Sequence, residues 1–423
     1  MSIRNTFPQQ RPTLNLDFAN SKTLDPRITF SRPQTGNGVT YVGEDGLIKY
    51  ASADEPRFDH DPETGECLGL LVEESRVNYE KYTEDPTQWT IVNMIPTGNS
   101  ITLPTGEVST TIEYRGETTD ANNKLIRPLP TNSGVVAGET WCFSIFLKAG
   151  TEDTTRLQFQ NNTGGDSVGR TFNMETGEWA ENLYVSGSNT GDSGYEYYGN
   201  GWYRVWLVNT YSADAGAQQT FMRLYANSSA VPLTTSFSAW GAQLEKASFP
   251  SSYIPNDTES QKTRNSDSVS MTGDNFSDWY NPSEGSIYCS VYNVGVTTTT
   301  SRFFYAIEDA SAPSSDFMRQ WIWSGNTSLL LNSFYTSNTT GQGSVISAEF
   351  SVSLEDVNKK ISVGYAQSDF ARSYNGSLTT DTSGNLPTGI DRLRIGTNLS
   401  GHISKLTYYP TRLSNDQLQN LTK

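Results

Sequence analysis

The chain has 423 residues and a formal net charge of −16, with 35% hydrophobic, 12% aromatic and 18% charged residues. This length exceeds what one small core can organise, so we expect two or three domains. The negative charge repels phosphate backbones and excludes nucleic acid as a natural partner, while the polar, glycine- and asparagine-rich composition favours β-sheets joined by many turns.

The first 27 residues form an irregular arm with one alternating apolar segment, TLNLDFA, which starts at Thr13. An isolated strand of this kind is unstable until it pairs with another surface. We therefore predict that the arm docks by strand addition on a partner protein or a neighbouring subunit. Leu14, Leu16 and Phe18, at alternate positions, are predicted to supply the specificity of that docking.

The stretch from Pro56 to Asn78 contains many carboxylates and one of the two histidines of the chain. Asp59, Asp61 and Glu63 begin the ligand pattern of a calcium loop, but the glycine and the closing acid that such a loop needs are missing. His60 has no serine or cysteine partner in a catalytic motif. Alternation around a Pro-Glu-Thr-Gly turn instead predicts a β-hairpin with solvated carboxylates and no metal.

Strand-like runs with a period of two recur from Thr140 to Glu245, where turns rich in Gly, Asn and Asp separate them. They predict an antiparallel sandwich. A polar link from Pro255 to Asp267 leads to a second series of strands. In that series Asn375-Gly376 predicts a tight hairpin, and the tail predicts a helix capped by Ser414 with Leu418 facing inward.

Three parts of the chain belong together: the run ITFSR to VEESRVN, the segment YTEDPTQWT, and the ending WGAQLEKASFPSSYIP. They resemble modules of bacteriophage and prophage virion proteins, especially tail-fibre-like and host-contact proteins. Past Thr263, the opening TRNSDSVSMTG and the closing LRIGTNLSGHISKLTYYP resemble a concanavalin A-like, laminin-G-type sandwich. The resemblance covers most of the chain and is specific for the protein class, but it does not locate a ligand site.

This resemblance implies an all-β protein with three parts. Residues 1–85 would be an anchoring arm and a β-hairpin module, residues 86–256 a carbohydrate-binding-module-like jelly roll, and residues 257–423 a concanavalin A-like sandwich. It implies a non-enzymatic virion protein, made in the host cytoplasm, which serves as a tail fibre, spike or host-contact appendage. The alternatives are a capsid or neck decoration protein and a polysaccharide-degrading enzyme.

The same resemblance implies partners: other virion proteins at the arm, a host-surface glycan, and further copies of the chain. We expect a homotrimer, because three tethered weak sugar sites gain avidity. The N-terminus has no apolar leader pattern and no run of eighteen apolar residues is present, so we expect no membrane insertion. The three cysteines are too far apart for a zinc site and predict free thiols.

One short motif imitates an enzyme signature, and other signatures are missing from the sequence. The sequence GDSG, from Gly191 to Gly194, copies the nucleophile motif of trypsin-like proteases, but His60 and His402 lie in unrelated modules without the usual flanking residues. The E-x-D-x-x-E string of some glycoside hydrolases is absent. So are phosphate-binding and dinucleotide-binding glycine loops, and we therefore expect no cofactor and no catalytic residue.

Aromatic side chains are the remaining candidates for ligand binding. Sugar rings stack their C–H faces on Trp and Tyr, while neighbouring polar groups supply hydrogen bonds. Most aromatics at strand spacing belong to the core, as we expect for Trp202, Trp206 and Trp240. The predicted carbohydrate-binding residues are Trp179, Tyr195, Tyr197 and Tyr198 in the first sandwich and Trp321, Trp323 and Tyr335 in the second.

Overall fold

The structure of the chain, a computed structural model, covers most of the sequence. It describes residues 7–34, 38–116, 125–130, 134–161, 167–216, 218–223, 235–292, 294–295, 301–313, 316–324, 329–336, 345–352 and 358–423. None of the helices in these ranges has the length and apolar character needed to cross a lipid bilayer. Strands dominate, and the helices are short.

The described residues before position 85 form short strands and one helical turn, α1 (Phe18–Ser21). The strands are β1 (Leu14–Asp17), β2 (Thr29–Ser31), β3 (Thr40–Val42), β4 (Ile48–Tyr50), β5 (Arg57–His60), β6 (Cys67–Glu73), β7 (Arg76–Asn78) and β8 (Glu80–Lys81). Strands β5 and β6 pair as the predicted hairpin around the turn that contains Gly65, which has a positive φ of 69°.

The next part of the chain builds the first sandwich, after a short 3-10 turn at Pro86–Gln88. Its strands are β9 (Thr90–Val92), β10 (Met94–Pro96), β11 (Ile101–Thr102), β12 (Val108–Ser109), β13 (Glu113–Gly116), β14 (Leu125–Arg127), β15 (Leu129–Pro130), β16 (Gly134–Val135), β17 (Thr140–Ala149), β18 (Thr154–Asn161), β19 (Ser167–Asn173), β20 (Glu178–Trp179), β21 (Tyr184–Val185), β22 (Thr190–Tyr197), β23 (Trp202–Thr210), β24 (Ala215–Gly216), β25 (Gln218–Arg223) and β26 (Ser236–Glu245).

Two antiparallel sheets make up this sandwich, in the orders β10-β13-β26-β17-β23-β22 and β20-β19-β18-β25-β14-β9. Alternation in β17 sends Phe143, Ile145 and Leu147 into the core between the sheets. On the opposite face of β17, Cys142 and Phe146 are also buried. The reason is that the N-terminal strands and the link after β26 cover it, placing Ile48 and other residues against Phe146.

The last third of the chain builds the second sandwich. Its strands are β27 (Lys262–Arg264), β28 (Ser268–Thr272), β29 (Glu284–Tyr292), β30 (Arg302–Glu308), β31 (Phe317–Ser324), β32 (Leu329–Thr336), β33 (Val345–Val352), β34 (Asn358–Ala366), β35 (Asp369–Tyr374), β36 (Ser377–Asp381), β37 (Arg392–Ile395) and β38 (Ser400–Tyr409), with helices α2 (Asp274–Ser277) and α3 (Asn415–Leu421). The prediction of two antiparallel β-sandwiches is confirmed.

Strands from the N-terminal part complete both sheets of the second sandwich. One sheet runs β36-β35-β34-β29-β38-β6-β5, with β1 also paired to β38, and the other runs β2-β28-β37-β30-β31-β32-β33. Residues 1–85, for which we expect a separate module, contribute strands to both sheets of the sandwich formed by the C-terminal third. Local patterning could not show this, since the paired strands are separated by hundreds of residues.

The docking of the arm on a partner protein or neighbouring subunit stays a prediction, and in this structure the arm pairs within its own chain. Strand β1 does add to a sheet edge, but the sheet belongs to the same chain, with Leu14 opposite Tyr408 and Leu16 opposite Leu406. Leu14, Leu16 and Phe18 are 1%, 2% and 1% exposed within the second core. These side chains contact the chain's own interior because β38 offers an unpaired edge beside β6.

A buried network of charges joins the N-terminal strands to the link between the sandwiches. Arg57 lies 2.7 Å from both Glu73 and Asp267, Arg32 lies 2.9 Å from Asp267, and Arg264 lies 3.1 Å from Glu73. Burial alone would raise the pKa of Glu73, but the neighbouring Arg264 and Arg57 guanidinium groups hold it well below its usual range. Glu73 is thus a buried ion-pair partner, whereas the sequence predicts a solvated carboxylate.

Candidate functional site

Three of the predicted carbohydrate-binding residues meet at one edge of the first sandwich. The ring centroids of Trp179 and Tyr195 are 6.4 Å apart, and both rings pack on the buried Phe172 at 5.2 and 5.1 Å. Tyr203 joins them, at 6.3 Å from Tyr195 and 4.9 Å from Tyr197. We call the cluster of Trp179, Tyr195, Tyr197 and Tyr203 the aromatic edge.

The strand pattern explains why these rings gather. Tyr195 and Tyr197 alternate along β22, a strand that lies at the edge of its sheet, so both point to the same side. Tyr203 lies opposite Tyr197 on β23, where cross-strand neighbours are in contact. Tyr195 is 41% exposed, so part of its ring is available to a ligand.

Polar side chains surround the aromatic edge. The Arg170 guanidinium lies 4.7 Å from the Trp179 ring centroid and donates to the Ser193 hydroxyl over 2.7 Å. Arg156 pairs with Glu181 over 2.9 Å and lies 5.9 Å from the ring of Tyr184, which is 52% exposed. Charged donors and acceptors beside exposed rings are the combination that recognises a sugar.

The GDSG motif also finds its explanation here. Ser193 lies within β22 and accepts a hydrogen bond from Arg170, not from a histidine. Gly194 lies against Trp206, whose ring would come within 2.3 Å of a Cβ atom at that position. The serine and the glycine therefore serve hydrogen bonding and packing on the strand.

The other predicted aromatics lie apart. Tyr198 packs on Phe146 at 4.9 Å, on the opposite side of β22 from the aromatic edge. Trp321 is half-buried and lies 5.9 Å from Phe303 in the second sandwich. The side chains of Trp323 and Tyr335 lie outside the described part of the chain.

Sequence reasoning missed several members of the site. Tyr203 and Arg170 were not among the predicted residues. Tyr203 lies between Trp202 and Arg204 on β23, so its side chain is on the opposite face of the strand from theirs. This alternation in the sequence could have indicated which face Tyr203 occupies. Arg170 comes close to Trp179 only through the pairing of β19 with β20.

A second feature is a central cavity of about 410 Å³, which lies where the N-terminal strands and the two sandwiches meet. Its lining includes Asp59 and His60 from β5, Glu196 from β22, Arg204 from β23 and His402 from β38. Both histidines of the chain thus line one cavity, although the sequence places them in unrelated modules.

Hydrogen bonds hold the polar lining in place. The Nε2 atom of His402 lies 2.7 Å from Asp59 Oδ2, and Asp59 Oδ1 accepts the backbone N–H of Val42 over 2.5 Å. His60 Nδ1 lies 3.1 Å from the Val42 carbonyl oxygen. The Arg204 guanidinium donates to the Ser251 carbonyl over 2.7 Å.

Glu196 lies in the cavity lining and is also exposed to solvent. Desolvation by the neighbouring lining raises the pKa of its carboxyl group, while Arg204 lowers it and the negative charge of Asp59 raises it again. Across the described residues, no group of three or more His, Cys, Asp or Glu side chains is arranged to hold a metal ion.

Comparison with known protein families and with curated proteins finds no match. Among solved structures, the chain is similar to botulinum neurotoxin type C, in a structure concerned with its interaction with two ganglioside molecules. The identity is 15% and the TM-score 0.29, over 37% of this chain and 40% of that one.

Trypanosoma rangeli sialidase matches at 10% identity and a TM-score of 0.27, over 73% of this chain and 60% of that one. Domains LG4-5 of the mouse laminin alpha1 chain match at 7% identity and a TM-score of 0.20, over 79% and 88%. The chain thus spans less than two thirds of the toxin and sialidase chains. Similarities at this level carry no weight for function.

Proposed function

We propose that the chain is a non-enzymatic structural protein of a bacteriophage virion, a tail-fibre-like, spike or host-contact appendage that binds host-surface glycan. The virion assignment rests on the motif resemblance in the N-terminal part, in YTEDPTQWT and in the ending of the first sandwich. The glycan-binding part rests on the aromatic edge.

One observation carries the glycan-binding proposal. Trp179, Tyr195 and Tyr203 form a contiguous aromatic surface with a guanidinium group on the Trp179 ring and an ion pair beside it. Tyr195 is 41% exposed, and Trp179 and Tyr203 are half-buried on the core beside it, so a ligand would meet one open ring flanked by two partly covered ones. Neighbouring charged groups supply the directional hydrogen bonds that distinguish one sugar from another.

The first experiment is binding of the purified chain to a glycan array built from host-surface polysaccharides. We expect binding that Trp179→Ala weakens by about tenfold, which corresponds to ~1.4 kcal/mol. Trp321→Ala, a change of the same size at a half-buried residue of the second sandwich, is the matched control. Loss of binding in Trp321→Ala with retention in Trp179→Ala would move the site, and absence of all binding would remove the glycan proposal.

Two further measurements test the rest of the proposal. Mass spectrometry of purified virions whose genome encodes this chain should detect the protein. A reconstruction of the particle should place the protein on the tail, whereas a position on the capsid or neck would favour a decoration role. Incubation with host polysaccharide should release no reducing ends. Reproducible release that Glu196→Gln abolishes would instead identify a polysaccharide-degrading enzyme.

The proposed assembly is a homotrimer held together on the particle. Three copies of the aromatic edge would bind one cell surface together, so that modest individual affinity gives strong attachment. Light scattering of the purified chain at micromolar concentration should give three times the mass of one chain, which is 46.7 kDa. A monomeric mass both in solution and in the particle contradicts this part.

A further inference from the structure

The central cavity contains buried polar atoms without hydrogen-bond partners. Within the described parts of the chain, His60 Nε2, His402 Nδ1 and Ser400 Oγ have no partner, and the three residues are only 5%, 6% and 5% exposed. All three residues line the cavity. Buried polar groups are nearly always satisfied, so several unsatisfied groups at one cavity point to a ligand that satisfies them.

The hydrogen bonds that the imidazoles already make determine what they can offer. His60 Nδ1 faces the Val42 carbonyl oxygen, which only accepts, so Nδ1 carries the proton and Nε2 presents a lone pair. His402 Nε2 faces the Asp59 carboxylate, so Nε2 donates and the Nδ1 atom of the neutral ring is an acceptor. The Glu196 carboxylate adds further acceptors to the same cavity.

Charged groups of both signs line the cavity. Asp59, Glu73 and Glu196 are acidic, and Arg204 and Lys359 are basic. A ligand with a full charge of either sign would therefore meet a similar group of its own sign. A neutral ligand that donates several hydrogen bonds fits these acceptors without that cost.

We propose that the central cavity binds a neutral polyhydroxylated molecule of one or two sugar units, whose hydroxyl groups donate to His60 Nε2, His402 Nδ1 and the Glu196 carboxylate. The volume of about 410 Å³ falls within the range of small-molecule sites. Trp206 and Tyr198 in the lining offer rings to the C–H faces of such a ligand. This site differs from the aromatic edge in its polar groups, although Tyr195 of that edge also lies in the cavity lining.

Saturation-transfer NMR with free glucose, N-acetylglucosamine, lactose and cellobiose at millimolar concentration tests the proposal. We expect transfer to at least one of these sugars. Glu196→Gln should weaken the affinity for it by about tenfold, since hydrogen bonds to charged groups contribute most. Asp192→Asn changes an exposed carboxylate on the same side of β22, outside the cavity lining, and should leave the affinity unchanged.

A second variant, His60→Phe, keeps a ring of similar size and removes the acceptor, and it too should lose affinity. If its melting curve shows that His60→Phe does not fold, the result for Glu196→Gln alone tests the proposal.

Absence of transfer to all four sugars overturns the proposal, and so does unchanged affinity in Glu196→Gln. Loss of transfer in Trp179→Ala with retention in Glu196→Gln places the binding at the aromatic edge and also overturns it. The proposed function is tested separately by the glycan array. Binding to the array that depends on Trp179 but not on Glu196 would support the proposed function even if the cavity binds no sugar.

Discussion

His402 and Asp59 are 343 positions apart in the chain, yet their side chains meet at 2.7 Å, with side-chain exposures of 8% and 14%. The contact joins β38 of the second sandwich to the hairpin of β5 and β6. It shows that the N-terminal hairpin is part of the central junction of the molecule.

Removal of this contact should destabilise the fold. We expect Asp59→Ala to lower the free energy of unfolding by about 1.5–3 kcal/mol, because the carboxylate also accepts the Val42 N–H. Glu63→Ala, at the exposed turn of the same hairpin, should change it by less than about 0.5 kcal/mol. Urea denaturation measures both. Asp59→Ala combined with His402→Ala should cost less than the sum of the two single changes, and strict additivity would show that the pair does not interact.

The buried network around Glu73 predicts sensitivity to acid. Its folded-state pKa lies below the unfolded value, so the stabilisation that it provides is present above about pH 4.3 and declines as the pH falls below that value. Glu73→Gln leaves Arg57 and Arg264 without their shared carboxylate and should cost about 3–5 kcal/mol at pH 7. Denaturation at pH 7 and pH 3 should show the difference from the native chain shrinking at pH 3. An equal difference at both pH values contradicts the ion-pair interpretation.

The arm should contribute to the stability of the second sandwich. Leu16→Ala removes a buried side chain from its core and should cost about 2–5 kcal/mol, whereas Thr23→Ala, at an exposed residue of the same arm, should be nearly neutral. Hydrogen exchange should localise the effect to strands around β38. Native stability of Leu16→Ala would mean that the arm leaves this core in solution and is free to dock elsewhere.

Glu196 should respond to pH in the opposite direction from Glu73. Its folded-state pKa is raised, so the carboxyl group destabilises the fold progressively as the pH rises above the unfolded value of about 4.3. Glu196→Gln should therefore be more stable relative to the native chain at pH 7 than at pH 4, and thermal melts at the two values measure this. Asp192→Asn should show no such trend, because Asp192 lies outside the cavity lining. A relative loss of stability at pH 7 would show that Arg204 and Tyr198 outweigh the desolvation of the Glu196 carboxylate.

Some features follow from the sequence alone because neighbouring residues determine them. Asn375 and Gly376 adopt positive φ angles of 45° and 75° between β35 and β36, as an Asn-Gly hairpin turn requires. Ser414 and Gln417 form a capping box at the start of α3, and Leu418 is fully buried. The strand alternation likewise predicted two antiparallel sandwiches.

Other features depended on contacts between distant parts of the chain. The alternation of β1 shows that Leu14 and Leu16 need a covered surface, but not that β38 supplies it, because a strand edge accepts any partner through its backbone groups. His60 and His402 share a cavity, and Glu73 lies between two arginines, only because the N-terminal strands pack between the sandwiches. Side-chain chemistry indicates what a residue can bind. The pairing of strands hundreds of residues apart determines which groups a residue contacts. Local periodicity does not indicate this pairing, because it depends only on neighbouring residues.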